Sequence, residues 1–132
     1  VLFRSFLAQE QAAGRLKLPL KAIGKKLLLH GHCHQKSFDA MGAVQQVLKL
    51  IPEAQLETVE TSCCGMAGSF GYDAEHYDIS MQMAEAALLP KVREAGKDTL
   101  IIADGTSCRH QIHDGAQREA VHVARVLAEA LA

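Results

Sequence analysis

Three short apolar runs, each handing over to a polar loop that carries cysteine, constrain this chain more than any other feature. The runs are Leu27-Leu28-Leu29, the alternating stretch LETVE at 56–60, and TLIIA at 99–103. Short runs of this kind read as strands, the first and third buried and the second with one wet face. Between them lie amphipathic stretches. Segment 37–50 carries Met41, Val44, Val47 and Leu48 at spacings of three and four, ahead of Ile51 and Pro52, and predicts a helix that the proline closes. Segment 74–89 places Ile79, Met83, Ala86 and Ala87 on one face and predicts a second long helix. Pro90 should kink or stop it, and Gly96 ends the segment. A last helix is expected at about 119–131, and a short one at 6–13 that Gly14 ends. Residues 15–26, with Pro19 and Gly24, read as a connection. Strands alternating with helices predict an α/β fold. It is expected to be a single small domain with a three- to four-stranded, mostly parallel sheet flanked by helices and joined by right-handed crossovers.

That topology gives the cysteines their meaning. The chain has four, and all fall just after strands: Cys33 after LLLHG, Cys63 and Cys64 after LETVET, Cys108 after TLIIADG. Ligands of parallel sheets collect beyond the carboxyl ends of the strands. If the strands are neighbours, three separate loops converge on one site. The adjacent pair Cys63-Cys64 followed by Gly65 is hard to explain as core, because neighbouring side chains diverge.

Thiolates at one place suit an iron–sulfur cluster or zinc. The chain has no C-x-x-C, the common zinc spacing. The run His30-Gly31-His32-Cys33-His34 nevertheless sets imidazoles beside a thiol, so a Cys/His zinc site stands as an alternative. Gly65, Gly68 and Gly71 let backbone amides approach sulfur closely, which suits a cluster.

Composition excludes some classes. A chain of 132 residues with 48% apolar content is long enough for one core. A formal net charge of −1 makes no electrostatic case for nucleic acid. No apolar stretch approaches the roughly 20 residues of a membrane helix. The start, Val1-Leu2-Phe3-Arg4-Ser5, lacks the order of a signal peptide and does not open on Met. A non-exported piece of a larger protein is expected, in which paired disulfides are disfavoured.

The motifs HGHCHQK, CCGMAGSFGY followed by EHYD, and ADGTSCRHQI resemble, in that order, the cysteine-rich CCG domain. More narrowly, they resemble the C-terminal CCG segment of FAD-linked oxidases that carry iron–sulfur clusters and oxidise D-2-hydroxy acids such as lactate, glycolate or 2-hydroxyglutarate. The iron–sulfur subunit of glycolate oxidase shares the domain, as do one subunit of heterodisulfide reductase and one of glycerol-3-phosphate dehydrogenase. The resemblance covers about 27–131. It divides the chain into an N-terminal helix and connection, 1–26, and a cysteine-rich domain, 27–132.

The resemblance implies a [4Fe-4S] cluster on Cys33, Cys63, Cys64 and Cys108, with His34 as a candidate completing ligand. Gln111 stands where a further cysteine is implied, which disfavours a five-thiolate cluster. Gly65, Gly68, Ser107 and Arg109 are implied around the cofactor. The hydroxyls of Ser62, Thr106 and Ser107 are donors to its sulfurs, and Arg109 offsets its charge. FAD and the hydroxy-acid site belong to the missing upstream part. The implied partners are upstream flavin and ferredoxin-like domains, or a separate subunit, and an electron acceptor such as a quinone. A cytoplasmic protein is implied, brought to the inner membrane only through partners. On this reading the segment relays electrons and does not oxidise a hydroxy acid alone.

Plainer readings exist for each residue. Cys33 reads equally as a small buried hydrophobe, and Cys63-Cys64 as a strained vicinal disulfide. Cys108 reads equally as an ordinary residue at a helix start. His30, His32 and His34 share one face if the strand runs on through them. His110 and His113 read as solvated, Lys36 as a surface charge. Tyr72, Glu75, His76 and Tyr77 read as packing around a helix start.

Overall fold

The computed structural model describes residues 2–59 and 63–132. Strand β1, Lys26–His30, is exposed at its first residue and buried at the next four. Strand β2 is Gln55–Val59, β3 is Thr99–Ala103, and the short β4 is Ala120–Val121. All pairings between these strands are parallel and the order is β2-β1-β3-β4, so the expected α/β sheet is present, with four strands among the described residues. A central parallel strand is covered on both faces, which is why β1 and β3 are continuous apolar runs. Alternation then sends Leu27, Leu29 and Ile102 to one core, and Leu28, Ile101 and Ala103 to the other.

Helices cover both faces. Helix α1, Leu2–Ala12, gives Leu7 and Ala8 to the first core. The same core receives Val44, Val47 and Leu48 of α3, Met41–Leu48, and Val123, Val126, Leu127 and Ala130 of α7, Val123–Ala130. The second core receives Leu88 and Val92 of α5, Leu88–Glu94, and Cys108 and Ile112 of α6, Thr106–Ala116. The chain crosses from β1 to β2 on the first face and from β3 to β4 on the second. The connections therefore diverge between β1 and β3, the point at which open parallel sheets place a ligand crevice.

Several expected boundaries move, each for a local reason. The helix expected over 37–50 is two helices, α2, Cys33–Ser37, and α3. Asp39 at φ 53 breaks them apart. The helix expected over 74–89 is a 3-10 turn, Ala74–His76, then α4, Tyr77–Glu85, with a break at Ala87 before α5. Pro90 does not end a helix but occupies the first turn of α5, where its missing N–H costs nothing. The last helix begins at Val123, later than expected, because β4 takes Ala120–Val121. Helix α6 was anticipated only as a helix start at Cys108, not as an eleven-residue element. The strand does not run on through the histidines: His30 ends β1, His32 caps α2 and His34 lies within it. Expectations on Glu60, Thr61 and Ser62 lie outside the described residues.

Candidate metal centre

The site is built from three strand ends held in line. In the sheet register His30 pairs with Val59 on one side and Ala103 on the other. The loops that follow therefore leave from one edge. After β1, His32 caps α2: its Nδ1 accepts from the His34 amide at 3.2 Å, and the Gln35 side chain accepts from the His32 amide at 2.8 Å. This fixes Cys33 as the first residue of α2, facing the Cys63 thiol. After β2, the chain returns through Cys63-Cys64-Gly65. After β3, Gly105 precedes α6 and Cys108 lies in its first turn, where the helix dipole favours a thiolate.

The four thiols meet as two pairs. Cys33 Sγ donates to Cys63 Sγ at 3.5 Å, and Cys108 Sγ donates to Cys64 Sγ at 3.3 Å. The first pair is outward, with Cys33 exposed and Cys63 half-buried. The second is buried. His30, Cys64 and Cys108 hold their donor atoms within 4.8 Å of one another.

The electrostatics divide the buried pair. The hydrogen bond from Cys108, then the His30 imidazole and the Met66 amide, pull the Cys64 thiol down to about 4 against the cost of burial. The same hydrogen bond and burial push Cys108 up, so Cys64 is the thiolate and Cys108 keeps the proton. Burial, then the contact with Cys63, raises Cys33. Burial, then His34, lowers His32.

The glycine loop shapes the sulfur side. The Gly65 amide donates to Cys63 Sγ at 3.3 Å. Gly65 sits at φ +84, and a Cβ there would lie 2.0 Å from the Ser80 carbonyl oxygen, so no other residue fits. At Gly105 a Cβ would lie 2.4 Å from the His32 ring and 3.0 Å from Cys108 Sγ. Gly68, at φ +71, has open space around it.

The remaining expected residues are placed as follows. Arg109 donates to the carbonyls of Ala103 at 2.9 Å and Asp104 at 2.8 Å, and to Thr106 Oγ1 at 3.3 Å, clamping the turn after β3. Ser107 is half-buried beside Cys108. His34 is exposed, its ring edge-on to His32 and Phe38. Gln111 is buried and donates to the Ser80 hydroxyl at 3.0 Å, tying α6 to the glycine loop through α4.

Sequence reasoning offered His30 only as one imidazole of the run beside Cys33 and took His34 as the completing ligand. His30 is 1% exposed, and its ring nitrogens have no nitrogen or oxygen partner, only the Cys64 thiol against them. Its signal was its place: a polar residue closing an apolar strand, two sheet neighbours deep. Also missed was the Asp104 carboxylate beneath the site. It pairs with Arg4 and accepts from Gln35 at 2.8 Å and from the Val123 amide at 2.9 Å. Arg4, His32, His34, Gln35, Asp104 and Gly105 line a hollow of about 250 Å³ beside the thiols. A larger cleft of about 460 Å³ lies at the other end of the strands, around Lys26, Gln55 and Thr99, and has no thiol.

The donor set fits a thiolate-held metal group: four thiols from three loops, with a buried imidazole lacking a nitrogen or oxygen partner. The family described as CCG, cysteine-rich domain, matches residues 27–113. The chain belongs to the CCG family. One subunit of the anaerobic glycerol-3-phosphate dehydrogenase of Escherichia coli K12 is 33% identical to this CCG domain over 115 residues, covering 87% of the chain and 28% of that protein. The D-2-hydroxyglutarate dehydrogenase of the same organism is 30% identical over 114 residues, covering 83% of the chain and 11% of that protein. That of Pseudomonas putida KT2440 is 32% identical over 80 residues, covering 61% of the chain and 7% of that protein. The CCG domain thus corresponds to a small part of longer dehydrogenase chains. No solved structure matches it. Among the described residues, no helix is long and apolar enough to cross a membrane.

Proposed function

We propose that this chain is the iron–sulfur electron-transfer segment of a flavin-linked dehydrogenase that acts on D-2-hydroxy acids of the lactate, glycolate or 2-hydroxyglutarate class. The observation that carries the reading is the convergence of Cys33, Cys63, Cys64 and Cys108 from three parallel strand ends in a CCG domain. The dehydrogenase names of its relatives support the redox class. The group proposed is a [4Fe-4S] cluster held by those four cysteines, with FAD and the substrate site elsewhere in the parent protein and a quinone or similar acceptor beyond.

Bound there, the cluster supplies one-electron transfer, its potential set by hydrogen bonds and burial. The chain's own residues do the rest. The Gly65 amide donates to Cys63, and the Met66 amide to Cys64. Burial of Cys64, Cys108 and His30 excludes water from one side, while Cys33 keeps the other open. The start of α6 supplies positive charge against the Cys108 sulfur, and Arg109 clamps the turn that leads into it.

A second reading is a structural zinc site, and the sulfur spacing favours it. A tetrahedral ion with bonds of about 2.3 Å sets its sulfurs about 3.8 Å apart, near the 3.5 and 3.3 Å seen here. Iron and acid-labile sulfide assays with a visible spectrum, on protein purified without oxygen, decide between them. About four iron and four sulfide per chain, lost together in Cys64→Ser, are expected for the cluster. Stoichiometric zinc without sulfide would replace it.

A further inference from the structure

We propose that His30 is itself a metal ligand: that one of its ring nitrogens fills, from the sheet side, one of the four terminal positions of the centre beside Cys64 and Cys108, so that three of the four thiols and not all four complete it. The inference rests on the thiolate-held metal centre above and assigns the imidazole donor to His30 rather than to His34.

The argument begins with position. His30 is the last residue of β1, between Val59 and Ala103 in the register. A parallel strand flanked on both sides and buried on both faces takes Leu, Ile or Val there without cost. A histidine stands there instead, 1% exposed, with no nitrogen or oxygen partner for either ring nitrogen and the Cys64 thiol as the group against it. Buried polar atoms are almost always paired, and an orphan asks for a partner that binds there. The available neighbours are sulfurs: the donor atoms of His30, Cys64 and Cys108 lie within 4.8 Å of one another. A neutral imidazole beside thiolates is a ligand set that iron and zinc both accept.

The other histidines of the run are otherwise occupied. The Nδ1 of His32 accepts the His34 amide as the cap of α2. His34 is exposed and edge-on to Phe38. Gln111 does not point a donor at the thiols either, because its amide holds Ser80. His30 is the one imidazole of the run that is buried with no nitrogen or oxygen partner among the described residues.

The test compares the wild-type chain with His30→Leu and His30→Cys, each reconstituted anaerobically with iron and sulfide. Leucine continues the apolar run of β1, and far-ultraviolet dichroism with a thermal melt checks that each variant folds. Pulsed paramagnetic resonance of the wild-type cluster, reduced by one electron with dithionite to its paramagnetic state, should show one strongly coupled nitrogen, absent in both variants. His30→Leu should lose iron to a chelator at least about tenfold faster than wild type. His30→Cys should keep its iron and sulfide but shift to a lower potential, since imidazole in place of thiolate raises it.

A wild-type cluster with full iron and sulfide but no coupled nitrogen would overturn the assignment. So would a His30→Leu protein with unchanged potential and iron retention. Should the chain bind zinc without sulfide, the iron–sulfur reading fails separately. His30 is then judged by zinc stoichiometry: loss in His30→Leu supports ligation, and full retention overturns it. A chain that binds neither metal overturns both.

Discussion

At the scale of single residues, the site rests on groups that are not thiols. The side chain of Asp104 is 5% exposed and that of its partner Arg4 8%. The same carboxylate accepts from Gln35 and from the first amide of α7, so it fastens α1, α2 and α7 beneath the cysteine loops. Asp104→Asn would leave the Arg4 cation buried and unpaired. We expect a loss of about 3–5 kcal/mol, read as a lowered urea midpoint. Gly65→Ala is expected to cost at least about 1–2 kcal/mol from the left-handed backbone alone, and to loosen metal retention as Ser80 is pushed away. The thiols make a separate prediction. In the reduced, metal-free chain Cys64 is depressed to about 4 from its ordinary value near 9. Between those values the unfolded chain binds the extra proton, so stability rises with pH across that window and is lost as pH falls through about 4. Above it the sign reverses, because Cys108 is raised and keeps its proton in the fold. Thiolate absorbance persisting at pH 6 and absent in Cys64→Ser would bear this out; no absorbance before pH 8 would refute it.

At the scale of elements, what the sequence shows follows from how each element is buried. β1 and β3 are apolar over residues 27–29 and 100–103 because both faces are covered, and these runs read directly as strands. Leu29, fully buried in β1, should cost about 2–5 kcal/mol as Leu29→Ala in a denaturant titration. Helix α6 was illegible beyond its start because it buries a thiol, an amide and Ile112 where a periodicity reading looks for aliphatic side chains. Its core face is also the face of the site. The break between α4 and α5 was hidden by apolar residues that continue across it, and Pro90 marks a start that resembles a stop. Pro90→Ala should therefore change stability by less than about 1 kcal/mol, where a proline inside a helix would be worth about 3. The cysteines were legible as one site because strand ends in parallel sheets converge. His30 was not, since only the register shows how deep it lies.

At the scale of the whole molecule, the sheet is the part that does not depend on metal. Its two cores are closed by helices that draw little on the cysteine loops, apart from Cys64, Met66 and Cys108 in the second. Amide exchange should find β1 and β3 protected with and without metal, and the segments around Cys33 and Cys63 to Gly71 protected only with it. The division of the thiols into an exposed pair and a buried pair has a directional consequence. A metal group cradled there has protein on the His30 side and open solution at Cys33. Electron tunnelling falls steeply with distance, so a partner that stops on the far side of the sheet is cut off by its thickness. The centre has, in effect, one terminal, and whatever docks to exchange charge with it must meet the Cys33 corner.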